Sequence, residues 1–347
     1  MRRPGGCVRA PGARAAPQAP RGGAGSARHG LGYALPRVLP VRGHEFQVRP
    51  LPSPPGGLWA GPGSCARNLR ASARSGVAAV RGAQRAVGVQ NYLEEAVGRL
   101  NCAAPATFTV SSRTDAGVHA LCNTAHLDVP RRPGRPPLAP EALVQALNRH
   151  LTHPAIRVLQ ASLVPSDFHA RHAATSRTYL YRLATGCRQL AELPVFERNL
   201  CWPLRADRLD VAAMQEAAQH LLGTHDFSAF RSAGSPAGSP VRTLRRVSVS
   251  PAPASPFALP QESRRLRFWS LEFESQSFLY RQVRRMTAVL VAVGLGSLAP
   301  AQVKEILDSR DPLGKHQARV VPAHGLFLKS VQYGDLGDPG PAPGNHR

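Results

Sequence analysis

From about residue 76 onward, apolar side chains recur at helix and strand periods. Apolar residues three or four positions apart predict five helices, at residues 87–100, 140–147, 279–293 and 300–309 and in a segment that ends at 222 with either Asp207 or Asp210 as its cap. Alternating or short apolar runs predict seven strands, at residues 108–111, 123–129, 155–164, 177–184, 241–250, 266–274 and 326–333. The long connections and alternating strand patterns favour antiparallel pairing. The predicted fold class is therefore α+β.

The first 75 residues show neither period. They contain 13 Gly, 11 Pro and 12 Arg, with Glu45 as the single acid. We predict that segment 1–75 is disordered, because it has too little apolar surface to bury. Three explanations of it stay open: a mitochondrial transit peptide, a basic RNA-binding tail, or an alternative or misassigned first exon. The first and third are favoured, and a mitochondrial location is expected over the nucleus or cytoplasm.

The remaining chain is predicted to divide into an N-terminal half at 76–190, a C-terminal half at 191–334 and a loose tail at 335–347. The net charge of the whole chain is +23, and only three of its 44 basic residues are Lys. Arginine binds phosphates bidentately and stacks on bases, so a polyanionic partner is expected. No apolar run approaches the length of a membrane span. The six cysteines form no CxxC pair and no zinc spacing, so no metal site is predicted.

The segment SSRTDAGVHA, at residues 111–120, follows a predicted strand and carries the strongest candidate chemistry. It places Asp115 in a loop, with Arg113 two residues before it and Gly117 two residues after it. A guanidinium beside a carboxylate favours the ionised form of the carboxylate. An ionised carboxylate can act as a nucleophile, a base or a metal ligand. Taken alone, such an Asp is more commonly a loop cap with a surface ion pair. The nearby donors His119, His126 and Asp128 match no metal spacing that we can justify.

This segment closely resembles the active-site motif of the TruA-type tRNA pseudouridine synthases, in which the Asp is catalytic. The runs FHARH (168–172) and ATSRTYLY (174–181) resemble the second motif of that family, with Arg171 and Tyr179 at the matching positions. The run FLYRQVRRM (278–286) resembles a later motif and matches its arginine with Arg284. The run HGLFL (324–328) resembles the C-terminal motif and matches its leucine with Leu326. The similarity runs in family order over residues 85–333.

The resemblance implies two ferredoxin-like halves around a mixed, mainly antiparallel sheet with a basic RNA-binding cleft. It implies that tRNA is a partner and leaves open whether other RNA also binds. It further implies a homodimer, as in simple family members, and no association with a membrane. The reaction would break the N1–C1′ bond of uridine, turn the uracil and rejoin it through C5, with the base out of its stack. This chemistry requires no cofactor and no metal. The sequence does not decide which uridine is modified. It also leaves open whether Asp115 attacks C6 of the base or C1′ of the sugar.

The same resemblance implies roles for individual residues. Asp115 would be the nucleophile, paired with Arg284. Tyr179 would stack on uracil, and its hydroxyl would assist proton transfer at C5. Leu326 would pack on the base as part of a dry lid. For Arg113 and Arg171 two roles stay open, holding the catalytic loop or contacting phosphate.

One departure from the family concerns the first strand, of pattern aromatic-Asp-Gly-Thr followed by Phe-x-Gly. Residues 71–80 carry no such pattern, so a strand position in the N-terminal sheet is expected to be unfilled, which would weaken folding. The alternative function is therefore a non-catalytic RNA-binding protein, or an inactive isoform, with the same fold. The intact set of Asp115, Arg284 and Tyr179 favours the enzyme.

Overall fold

Two β-sheets carrying five helices make up the described part of the computed structural model, which comprises residues 32–39, 88–100, 108–129, 138–187, 192–234, 237–253 and 265–334. The helices are α1 Val89–Gly98, α2 Pro140–His150, α3 Val211–Gln219, α4 Gln282–Gly294 and α5 Gln302–Ser309. The strands are β1 Gly32–Leu39, β2 Thr109–Val110, β3 His119–Ala120, β4 Ala125–Asp128, β5 Arg157–Val164, β6 Ala174–Thr185, β7 Trp202–Pro203, β8 Gly223–Asp226, β9 Val241–Ala252, β10 Arg267–Ser275 and β11 Leu326–Tyr333. No helix in these ranges is long and apolar enough to cross a bilayer.

The smaller sheet has four antiparallel strands in the order β2-β4-β1-β5. Helices α1 and α2 pack against it through apolar side chains at helical spacing, among them Leu93, Val97, Leu143 and Leu147. Asn148, on α2, ties the helix to β5, since its side chain bonds both the N–H and the C=O of Val158.

Strand β1 corrects one prediction made from the sequence. The strand position expected to be unfilled is occupied by Gly32–Leu39, which pairs with both β4 and β5. The prediction of disorder for residues 1–75 is therefore wrong at these eight residues, and its remainder lies outside the described residues. The segment has no clear alternation and contains Pro36, so its strand state depends on pairing with two neighbours rather than on local pattern. Its register with β5 shifts on both sides of Arg37.

The larger sheet has seven strands, in the order β3-β11-β6-β10-β9-β8, with β7 also paired to β6. Two pairings are parallel, β3 with β11 and β6 with β7, and the other pairings are antiparallel. The sheet is therefore mixed, and the α+β class is confirmed. Strand β6 lies in the predicted N-terminal half, yet it pairs with β10 and β11 of the C-terminal half. The boundary near residue 190 stays a prediction.

Helix α4 is buried over nearly its whole surface in the core of the larger sheet. From Ala288 to Gly294 it is apolar on all sides, as a helix segment enclosed by other elements must be, whereas its first turns carry Gln282, Arg284 and Arg285. Its residue Gly294 lies so close to Met214 and Leu209 that a Cβ there would approach them within 3 Å. The missing side chain lets the C-terminal end of α4 pack closely against α3.

All five predicted helices and all seven predicted strands are present, and all except the strand at 326–333 have shifted ends. Helix α3 begins after Asp210, whose side chain accepts a hydrogen bond from the N–H of Ala213. It ends at Gln219, and Gly223 opens β8 with φ +92° instead of ending the helix directly. The short strands β3, β7 and β8 were not predicted, because two to four residues carry no readable period. The predicted tail at 335–347 lies outside the described residues.

Candidate active site

The loop at residues 111–118 crosses from β2 in the smaller sheet to β3 in the larger one. Within it, the N–H of Val118 donates to the carbonyl of Asp115 at 3.1 Å, which closes a four-residue turn. Gly117 is the third residue of that turn and has φ +78°, a conformation that disfavours a side chain. The side chain of Asn123 accepts from the Ser111 hydroxyl and donates to the Ser112 carbonyl, at 2.9 and 3.0 Å. The loop backbone is thus fixed on both sides of Asp115.

The carboxylate of Asp115 pairs with Arg284 on the first turn of α4. Arg284 Nη1 lies 2.9 Å from Asp115 Oδ2, and Arg284 Nε donates to the Val321 carbonyl at 2.8 Å. The side chains are 23% and 12% exposed, so the pair is largely withdrawn from water but open on one side. Such a charge-assisted bond holds both groups in one orientation. The predicted pairing of Asp115 with Arg284 is present in the structure.

Arg177, on β6, connects three segments that line the site. Its Nε donates to the Ser112 hydroxyl at 2.8 Å, and its Nη2 donates to the carbonyls of Ser111 and Arg171, at 3.0 and 2.8 Å. Its Nη1 donates to the carbonyl of Gln276. The side chain is buried, and burial lowers the pKa of the guanidinium. This arginine therefore cross-links the Asp115 loop, the 168–172 segment and the end of β10.

Tyr179 lies two residues along β6 from Arg177, on the same face of the strand. Its half-buried ring meets the ring of Phe278 edge to face, with centroids 5.2 Å apart. Burial raises the pKa of Tyr179 to about 12, and a hydrogen bond from the Ser112 hydroxyl acts in the opposite direction. The tyrosine is consequently a neutral hydroxyl at pH 7.

These side chains line one cleft of about 990 Å³. Val118 and Leu326, which is the first residue of β11, form an apolar part of the cleft wall. The described residues that line the cleft include six arginines and a single carboxylate, that of Asp115. The arginines are Arg113, Arg171, Arg177, Arg242, Arg281 and Arg284. An excess of cations of this size favours an anionic ligand.

Two residues at the mouth of the cleft complete the surroundings of Asp115. Arg281 Nε lies 3.9 Å from Asp115 Oδ2, on the same oxygen that Arg284 holds. The Arg281 guanidinium carbon lies 4.7 Å from the centre of the Tyr280 ring. No donor in the described part of the chain bonds to Asp115 Oδ1, whereas Oδ2 accepts from Arg284.

His119 directly follows the loop but lies outside the cleft. It is 1% exposed, stacks on Phe327 at 4.7 Å, and bonds the Asn199 carbonyl through Nε2 at 2.9 Å. Burial lowers the pKa of His119 to about 4, so the ring is neutral at pH 7. Its partners make it a packing residue that anchors β3. In the described residues, no group of three His, Cys, Asp or Glu side chains is placed to hold a metal ion.

All six residues predicted for the site line the same cleft. Arg113 and Arg171 are exposed at its edge, and the backbone carbonyl of Arg171 is held by Arg177. Sequence reasoning missed Arg177 and Arg281. A signal for Arg177 was available, because it shares the inward face of an alternating strand with Tyr179, where an arginine needs several acceptors.

Comparison with known proteins shows the family to which the chain belongs. The family model described as tRNA pseudouridine synthase matches residues 217–334. tRNA pseudouridine synthase-like 1 from Homo sapiens is 80% identical over 263 residues, covering 76% of this chain and 87% of that protein. The protein of the same name from Xenopus laevis is 52% identical over 264 residues, covering 75% and 87%. tRNA pseudouridine synthase A from Maricaulis maris is 39% identical over 254 residues, covering 73% and 90%.

The chain is therefore a member of an RNA-modifying enzyme class. It belongs to the tRNA pseudouridine synthase family.

Proposed function

We propose that this protein converts uridine to pseudouridine in tRNA, with the Asp115 carboxylate as the nucleophile. The observation that carries the proposal is the 2.9 Å pair of Asp115 and Arg284 in a cleft that also holds Tyr179 and Leu326. Arg284 occupies Oδ2 and leaves Oδ1 directed to the substrate. In the proposed fold, the two sheets are ferredoxin-like halves on either side of a basic RNA-binding cleft.

The proposed reaction needs the target base outside its stack, because the carboxylate lines a cleft and does not lie on a flat surface. The N1–C1′ bond breaks, the uracil turns, and a C5–C1′ bond forms. The proton leaves C5, and N1 gains one, so the product is an isomer of the substrate. Tyr179 packs on the uracil and contributes a neutral hydroxyl, and Leu326 covers the base from the sheet side. Arg113 and Arg171, exposed at the edge, contact the phosphates of the RNA.

The competing function is RNA binding without catalysis, which the six arginines of the cleft would also support. Its main argument in the sequence was the expected gap in the smaller sheet. That argument is weakened, because Gly32–Leu39 occupies the position. The paired carboxylate adds a reason against simple binding, since an anion in the lining of a phosphate-binding cleft lowers the affinity for RNA.

The test compares purified wild-type protein with Asp115→Asn and with a matched control, Asp128→Asn, an exposed aspartate of β4 outside the cleft. Uridine-containing tRNA transcripts are incubated with each protein, and pseudouridine is mapped by carbodiimide adducts and primer-extension stops. We expect stops with wild type and Asp128→Asn but none with Asp115→Asn, although all three bind tRNA. Stops made by Asp115→Asn would refute the nucleophile. Binding without stops from the wild type would establish the competing function.

Location and oligomeric state complete the proposal. The Arg-rich, acid-poor residues 1–75 support a mitochondrial location, which imaging of the full chain with a C-terminal fluorescent tag would test. A homodimer is proposed from the family alone, and light scattering of the purified chain would test it.

A further inference from the structure

Tyr280 and Arg281, at the mouth of the cleft, have no part in the reaction proposed above. Both line the cleft and come directly before α4. The Arg281 guanidinium carbon lies 4.7 Å from the centre of the Tyr280 ring, and its Nε lies 3.9 Å from Asp115 Oδ2. The guanidinium therefore lies between an aromatic ring and the candidate nucleophile. A ligand bound to this pair would lie next to a base held at Asp115.

The backbone of this pair is held in an uncommon conformation. Arg281 has φ 61° and ψ 12°, in the left-handed region that residues other than Gly seldom occupy. Its carbonyl accepts from the N–H of Arg285 at 3.1 Å, and the carbonyl of Tyr280 accepts from the N–H of Ser232 at 3.3 Å. Such conformations persist where the surroundings enforce them, and they cluster at ligand sites. Both side chains thus project from a fixed backbone.

The two side chains are also available to a ligand. Tyr280 is 36% exposed, and the Arg281 side chain is 40% exposed. The distance of 3.9 Å to Asp115 is too long for a hydrogen bond, and Arg284 already donates to that oxygen. Within the described residues no group accepts a hydrogen bond from the Arg281 guanidinium. Arg281 contacts the Tyr280 ring, and the exposed part of that residue is open to a ligand.

We propose that Tyr280 and Arg281 form a subsite for the nucleotide next to the target uridine. The Tyr280 ring stacks on the neighbouring base, and the Arg281 guanidinium binds its phosphate. An aromatic face accepts any base, and stacking of this kind is a main source of affinity for single-stranded RNA. Arginine combines a planar face for the ring with a fork for the phosphate oxygens. This inference rests on the proposed function only in naming the base at Asp115 as the target uridine.

The test measures binding of two fluorescein-labelled strands, an oligouridine and an abasic ribose-phosphate strand of equal length. Tyr280→Leu should weaken binding of the oligouridine by about tenfold and leave binding of the abasic strand unchanged. Arg281→Gln should weaken binding of both strands and make the slope of log K against log salt less steep by about 0.7. The matched control is Arg310→Gln. Arg310 also has a left-handed backbone, φ 54°, its side chain is 70% exposed, and it does not line the cleft.

The outcomes separate this inference from the proposed function. If Tyr280→Leu and Arg281→Gln bind both strands as Arg310→Gln does, the subsite is wrong, whether or not the wild type isomerises uridine. If Tyr280→Leu weakens binding of the abasic strand as much as binding of the oligouridine, the ring does not stack on a base. The inference is then also wrong. If the expected pattern appears in a protein that makes no pseudouridine, the subsite stands as an RNA-binding feature and the proposed function fails.

Discussion

Replacement of Arg177 tests whether the position of the Asp115 loop depends on one buried guanidinium. Arg177→Met would leave the Ser112 hydroxyl and three carbonyls without their donor. Each buried acceptor left unpaired costs about 1–3 kcal/mol. With four acceptors affected, we expect Arg177→Met to lose roughly 4–12 kcal/mol of unfolding free energy, a large part of the about 5–15 kcal/mol that stabilises a typical domain. The Met variant would be strongly destabilised.

Arg177→Lys is the informative variant, because it keeps the charge and most of the side-chain volume. An ammonium donates from a single point and does not reach acceptors spread around a planar fork. We expect the variant to fold, with a loss of about 2 kcal/mol as some acceptors lose their partner. Ser111 and Ser112 would keep their hydrogen bonds to Asn123 and lose part of those to the side chain at position 177, and we expect the carboxylate of Asp115 to shift. A misplacement of about 1 Å is enough to lower kcat by roughly a hundredfold.

The assay combines urea unfolding, followed by circular dichroism, with single-turnover isomerisation of tRNA at a temperature where the variant is folded. The matched control is Arg182→Lys, on the same strand but facing away, where the arginine pairs with Glu197 at 2.9 Å. We expect this control to lose stability without losing kcat. If Arg177→Lys also retained kcat within twofold of the wild type, the argument that Arg177 positions the loop would be refuted.

Two further predictions concern stability. The pKa of His119 is about 4 in the folded protein and near 6.5 when unfolded, so the unfolded state takes up the proton first as the pH falls. Unfolding free energy should therefore decrease between pH 6.5 and 4, by up to about 3 kcal/mol from this group, and urea midpoints at several pH values should show a smaller decrease in His119→Gln. Gly325→Ala should destabilise by about 1–3 kcal/mol, because the new Cβ would lie 2.7 Å from the Tyr181 ring and 2.9 Å from the Arg182 carbonyl. Gly98→Ala, with nothing within 4 Å, should instead stabilise the protein by about 0.5–1 kcal/mol; equal thermal midpoints for the two alanine variants would contradict the packing argument.

The periodic segments were readable from the sequence because each buries one face against a sheet or helix. The strand at 326–333 was predicted with its observed ends, and α4 was predicted to within three residues at its start. The α+β class followed from the same patterns. Helices of this kind depend on residues three or four positions apart, and strands on residues two apart. Both spacings can be read directly from the sequence.

Strand β1 shows where this reasoning ends. Gly32–Leu39 lies in a stretch rich in Gly, Pro and Arg, and its strand state comes from hydrogen bonding to β4 and β5 on either side. Such partners lie far away in the chain, so no local pattern announces them. The same holds for β3, a two-residue strand that exists through parallel pairing with β11.

The sequence by itself determined which side chains are available for chemistry: the carboxylate of Asp115, the aromatic ring of Tyr179 and the abundance of arginine. Only the tertiary structure decided which arginine does what. Arg284 reaches the carboxylate across 169 residues of chain, Arg177 is enclosed among carbonyl groups, and Arg281 rests on an aromatic ring at the cleft mouth. The three are chemically identical, and they differ only in the acceptors that the fold brings within hydrogen-bonding distance. That distance is set by how the two sheets and α4 pack, which is a property of the whole chain.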